Sequence, residues 1–187
     1  MTNDASRTTV AIPDDAPNLF LTGFMGTGKS VVGRRIARQL DLPFIDSDAW
    51  ISECEGMDVA EIFARRGEAH FRELERRFVE SEMPRHRAVI SCGGGLITNP
   101  ELLRMLKGIG VVVVFFASPE TIYERISGDT QRPLMQVEDP QARIRELLAQ
   151  RESFYKDAGV GIMTDGHTIS QVADHVIRIY LDKIGSA

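Results

Sequence analysis

No stretch of this chain is apolar for long enough to cross a bilayer. The longest such run, Val111 to Ala117, has the length of a strand, against the roughly 20 residues a spanning helix needs. Cysteine is nearly absent: Cys54 and Cys92 lie far apart and form no C-x-x-C pair. Neither a disulfide framework nor a thiolate zinc site is indicated, and a reducing, cytoplasmic setting fits. His70, His86, His167 and His175 fall at no metal-ligand spacing. Positive charge is short as well. Lysine and arginine total 22 against 27 acidic residues, a formal net charge of −5, which leaves no basic field for a nucleic acid. The first 17 residues contain Asp4, Asp14 and Asp15 and no hydrophobic core, unlike a signal peptide or a basic transit segment. They read as a disordered leader, with one domain over residues 18–187.

What is present is an alternation of strands and helices. An apolar content of 43% in 187 residues suits one compact core. Leu19-Phe20-Leu21-Thr22 is a short apolar run that stops at a glycine cluster, and Val32, Ile36, Ala37 and Leu40 then recur at helical spacing. Pro43-Phe44-Ile45, Ala88 to Ser91, Val111 to Phe116 and Val160 to Met163 read as further strands. Helices are predicted over residues 50–55, 59–66, 68–83, 100–107 and 119–127, and from 140 to about 155. A last helix carries the stripe Ile169, Val172, Ala173, Val176, Ile177, Tyr180, Leu181 and Ile184. This order predicts an α/β fold, a parallel sheet covered on both faces. The polar segment at about residues 128–140 lacks helical periodicity and reads as a mobile lid.

Gly23-Phe24-Met25-Gly26-Thr27-Gly28-Lys29-Ser30 fits G-x-x-x-x-G-K-[ST], and it leaves a strand and opens a helix, as a phosphate-binding loop must. Its glycines let backbone N–H groups turn inward at phosphate oxygens. Lys29 would reach the β- and γ-phosphates of ATP and the Ser30 hydroxyl would ligate Mg²⁺, with Gly26, Thr27, Gly28 and Val31 completing the nucleotide contacts. The chain is too short for a motor or transporter ATPase, and it has no N-K-x-D motif of a small GTPase. Compact kinases of small molecules remain. Asp46 and Asp48, two apart at a strand's end, would project to one side if the chain stayed extended. They could divide labour between metal and acceptor. The alternative for Asp48 is a helix cap before Trp50.

Over about residues 18–184 the chain resembles the shikimate kinases. The resemblance is carried by the phosphate loop, Asp46-Ser47-Asp48, Phe71-Arg72-Glu73-Leu74-Glu75, Gly93-Gly94-Gly95, Arg132-Pro133-Leu134 and Arg151 in Gln150-Arg151-Glu152-Ser153-Phe154-Tyr155. It implies a three-layer P-loop kinase fold, with a five-stranded parallel sheet in the order 2-3-1-4-5 flanked by helices, plus the lid. It implies transfer of the γ-phosphoryl of ATP to the 3-hydroxyl of shikimate, in aromatic amino-acid biosynthesis. One Mg²⁺ per site and a monomer are expected, with neither nucleic acid nor membrane as partner.

By the same resemblance Asp46 holds the metal through a water, while Asp48 binds the acceptor's hydroxyls and is the candidate base. Arg72 and Arg151 would grip the acceptor's carboxylate, for which a planar guanidinium fork is suited. Arg72 could also pair with Glu75, three residues on, and be oriented by it. Gly93, Gly94 and Gly95 would let a flat ring approach the backbone at the sheet's carboxyl edge. Phe63 and Phe71 either wall that ring or pack in the core. Arg132 would act as an arginine finger supplied in cis, and Arg125 matches the family's arginine against adenine. Two departures stand out. Ser153 replaces a common proline after Arg151, and residues 164–168 differ from the usual adenine loop.

Overall fold

The computed structural model describes residues 12–128 and 137–185. Five strands, β1 (Asn18–Gly23), β2 (Phe44–Asp46), β3 (Val89–Ser91), β4 (Gly110–Phe116) and β5 (Val160–Met163), form one parallel sheet. Its order, β2-β3-β1-β4-β5, is the one expected. The helices are α1 (Lys29–Leu40), α2 (Ser47–Glu55), α3 (Val59–Arg77), α4 (Pro100–Ile109), α5 (Pro119–Ile126), α6 (Pro140–Ala158) and α7 (Ile169–Gly185).

The period of two along the strands sorts the core into layers. Leu19, Leu21, Val113 and Phe115 pack with Val32 and Ile36 of α1 and Val176 and Tyr180 of α7. Phe20, Val112 and Val114 point the other way, onto Leu106 of α4, Ile122 of α5 and Ile144 of α6. A smaller cluster of Ile51, Ile62, Phe71 and Leu74 fastens α2 to α3 beside the sheet. The sheet's carboxyl edge, with β1 central and β3 beside it, faces none of these layers, and the phosphate loop and glycine triplet gather there.

Three local features differ from the sequence reading. Asp46 ends β2 and caps α2 at once, accepting from the N–H groups of Asp48 (3.1 Å) and Ala49 (3.4 Å). Asp48 therefore lies in a helix's first turn and not on an extended strand, because the cap bonds bend the chain. Ile169 is half exposed and lines the cleft over the phosphate loop, while the rest of its stripe packs inward. Residues 12–17, read as the end of a leader, are packed onto the domain: Ile12 and Ala16 are buried, and the Tyr180 hydroxyl donates to the Pro17 carbonyl at 2.7 Å. Arg132 and residues 129–136 of the expected lid lie outside the described residues.

Candidate active site

The phosphate loop runs from the end of β1 into α1. Gly28, which precedes the helix, has φ 95°, a region L side chains rarely adopt. The Lys29 ammonium donates to the carbonyls of Gly23 (2.8 Å) and Phe24 (2.9 Å), so it is held across the loop. Buried Thr27 donates its hydroxyl to the Phe24 carbonyl at 2.7 Å, bracing the turn. A cleft of about 570 Å³ opens over this loop, lined by Gly26, Thr27, Gly28, Lys29, Ser30 and Val31, and it reaches Asp46 and Asp48 at one end. Arg125 and His167 line it too. The Arg125 guanidinium is fixed by three hydrogen bonds, to the Gly26 carbonyl (3.2 Å), the Thr164 hydroxyl (3.0 Å) and the Thr164 carbonyl (3.2 Å). It ties the loop that follows β5 to the phosphate loop.

At the inner end the Ser30 hydroxyl donates to Asp46 Oδ2 at 2.6 Å and lies 3.3 Å from the Ser91 hydroxyl. β2 and β3 align Asp46 with Ser91 in register, which is why these hard oxygen donors meet. Such a set suits Mg²⁺, which keeps several waters and is held by few protein groups. Among the described residues, no group of three or more acidic, histidine or cysteine side chains could form an all-protein cage.

Asp48 sits further in. Its Oδ1 is buried and has no hydrogen-bond partner among the described residues. Burial, and then the charge of Asp46, hold its carboxyl above the usual carboxylate range, against the pull of Lys29 and Arg72. Gly93 covers it closely: a Cβ there would stand 2.5 Å from Asp48 Oδ1 and 3.0 Å from Glu75 Oε1. The Gly93 N–H donates to the hydroxyl of buried Ser47 at 2.9 Å, docking the triplet on α2. A Cβ on Gly95 would collide with the Arg72 guanidinium, and one on Gly94 would meet the Gly23 carbonyl at 3.0 Å. The triplet is thus a close-approach surface between the phosphate loop and Arg72.

Arg72 is clamped from two sides, donating to Glu75 Oε2 (2.7 Å) and to Glu68 Oε1 (2.7 Å). Glu75 is 1% exposed, and its Oε1 is orphaned. Burial pushes its carboxyl up to about 7 although Arg72 opposes the shift; Asp48 adds to it and Arg151 subtracts. Arg151 stacks on the Phe24 ring at 5.6 Å. Phe63 and Phe71 stack on each other at 4.8 Å, with Phe63 partly exposed and Phe71 buried.

The structure therefore brings together Lys29, Ser30, Asp46, Asp48, Arg72 and Gly93, Gly94 and Gly95, with Arg151 at the rim. Sequence reasoning missed Ser47 and Ser91. A serine carries no signal of its own, and both act through tertiary placement at strand and helix ends.

Comparison with known proteins accords with this arrangement. The family profile of shikimate kinase matches residues 25–180. A shikimate kinase from Caldanaerobacter subterraneus subsp. tengcongensis is 46% identical over 164 residues, covering 88% of this chain and 96% of its own length. One from Geobacter metallireducens is 43% identical over 171 residues, covering 91% and 96%. Among solved structures, shikimate kinase from Acinetobacter baumannii in complex with shikimate superposes with a TM-score of 0.84 at 34% identity, covering 90% of this chain and 94% of that one.

Proposed function

The chain belongs to the shikimate kinase family, and from that membership we propose that it transfers the γ-phosphoryl of ATP to the 3-hydroxyl of shikimate. The products are shikimate 3-phosphate and ADP. The observation that carries the reading is the continuity of the two half-sites: one end of the phosphate-loop cleft reaches Asp48, which lies under Gly93 beside Glu75 and its partner Arg72.

In this reading the phosphate loop binds the triphosphate through its N–H groups, and Lys29 neutralises charge on the β- and γ-phosphates. Ser30, and Asp46 through a water, would hold one Mg²⁺, which when bound supplies charge neutralisation at the transferring group. Arg72 and Arg151 grip the carboxylate of shikimate while the glycine triplet admits its ring. Asp48 orients the attacking hydroxyl and takes its proton, and its burial favours the protonated product state. Arg132, which lies outside the described residues, is assigned from the sequence the role of stabilising charge on the moving phosphoryl. Arg125 and Val31 belong to the nucleotide side. We further propose a monomer acting in the cytoplasm with no nucleic-acid or membrane partner; no helix among the described residues is long and apolar enough to cross a membrane.

The test is ADP release from Mg·ATP with shikimate, gluconate or no acceptor at equal concentration. Release that depends on shikimate is expected, and release that follows gluconate would overturn the acceptor. Asp48→Asn should cut turnover by about 10²–10⁴-fold while ATP affinity stays near wild type. Near-normal turnover in that variant would remove Asp48 from proton transfer.

A further inference from the structure

Tyr155 has no part in the reaction as derived above, yet it stands where the glycine triplet meets the helix that carries Arg151. Its ring is buried, 2% exposed, and packs edge-on against Phe116 with centroids 6.4 Å apart. Its hydroxyl donates to the Gly94 carbonyl at 2.9 Å. The charge of Arg151, one helical turn back along α6, acts on the same phenol and opposes the upward push that burial gives it. A buried phenol packed on Phe116 and bonded to Gly94 has one orientation available to it.

Each of these contacts has a consequence for the acceptor. The Gly94–Gly95 peptide is planar and trans, so anchoring the Gly94 carbonyl on Tyr155 fixes the Gly95 N–H in the opposite direction. Gly94 is closely hemmed in: a Cβ there would meet the Gly23 carbonyl at 3.0 Å and both Phe24 Cα and the Tyr155 hydroxyl at 3.5 Å. Gly23 in turn is the carbonyl that receives the Lys29 ammonium. On the α6 side, Arg151 lies over the Phe24 ring, 5.6 Å from its centroid, and Tyr155 pins the same helix to the glycine triplet. That restraint on α6 matters where Ser153 stands in place of a stiffening proline.

We propose that Tyr155 is a positioning residue for the acceptor: its hydroxyl holds the Gly94 carbonyl, and with it the glycine triplet against the helix that carries Arg151, in the geometry that receives shikimate's carboxylate and ring. The proposal rests on the functional reading above. It predicts a defect confined to the acceptor, since neither the phosphate loop's N–H groups nor Ser30 touches the phenol.

Tyr155→Phe keeps the ring and its packing on Phe116 and deletes only the hydroxyl. It should raise the Kd and KM for shikimate about tenfold, the size of one lost hydrogen bond, with kcat and the Kd for ATP near wild type and Tm shifted little. Calorimetric titration with shikimate and with ATP reads these separately. The variant is then combined with Arg151→Ala. If Tyr155 sets the glycine triplet against the helix that carries Arg151, the shikimate effects of the two changes fall short of additive. Unchanged shikimate affinity in Tyr155→Phe, or equal losses for shikimate and ATP, or full additivity with Arg151→Ala, would each overturn the proposal. A wild-type chain that binds no shikimate would instead overturn the functional reading, and this proposal with it.

Discussion

Glu75 is the residue at which burial and function are most directly opposed. Its carboxyl is almost inaccessible, keeps one oxygen unpaired, and is pushed up to about 7 chiefly by desolvation. The folded chain therefore retains a proton that the unfolded chain releases near the ordinary value of 4.5. Stability from this source is complete below the unfolded value and is lost as pH rises through the folded one. Between pH 4.5 and about 7 the wild type should lose ~3 kcal/mol relative to Glu75→Gln, which has no proton to release. Urea unfolding of both proteins across that window reads the difference, and a flat difference would mean that Arg72's pull cancels the burial. The site at this scale was only partly legible in the sequence. Gly23 through Ser30 could be read because the phosphate loop is contiguous, so its chemistry is local. That Glu75 stands behind Arg72 could be read too, from their helical spacing. Its contact with Gly93 and Asp48, and the service of Ser47 and Ser91, depend on how α2, α3 and β3 meet, and no local pattern encodes that.

At the scale of elements, sequence and structure agree best where periodicity is strong. β1 and β4 fall within a residue of their predicted bounds, and α1 contains the whole stripe from Val32 to Leu40, since an apolar run and an amphipathic helix each leave a repeating signal. The break in α3 was also visible, as a division between residues 66 and 68. The structure gives it a cause: Gly67 has φ 81° and ψ 168°, a conformation essentially reserved for glycine, and the helix kinks there. The bend matters because Arg72 projects from the segment that follows it. A Cβ on Gly67 would meet nothing within 4 Å, so Gly67→Ala tests conformation without a clash. It should cost ~1–3 kcal/mol by urea unfolding and raise the KM for shikimate as Arg72 is re-aimed. A variant as stable as wild type with an unchanged KM would show that α3 can run straight at no cost. β2 and α2 were harder to divide, because Asp46 serves both and only the cap bonds show where one ends.

For the whole molecule, the question is where the folded domain starts. The sequence places the boundary near Pro17, since acidic residues and a proline upstream hide the two apolar residues that count. Ile12 is 6% exposed and Ala16 3%, both in the layer formed with α1 and α7. The Arg87 N–H donates to the Ala16 carbonyl at 2.8 Å, the Arg87 guanidinium pairs with Asp14 at 2.9 Å, and Tyr180 holds Pro17. The ion pair is exposed and contributes little. Two buried side chains and their backbone bonds contribute more, because the segment closes the outer end of the layer that contains Leu19 and Tyr180. Removing residues 1–17 should therefore cost about 2–4 kcal/mol relative to removing residues 1–11, most of it from the lost burial of Ile12 and Ala16. Chemical denaturation of the two truncated proteins measures this directly. The site lies at the opposite, carboxyl edge of the sheet, so KM for both substrates should match between them at temperatures where each is folded. Equal stabilities would return the boundary to residue 18 and leave the contacts of Ile12 and Ala16 without energetic weight.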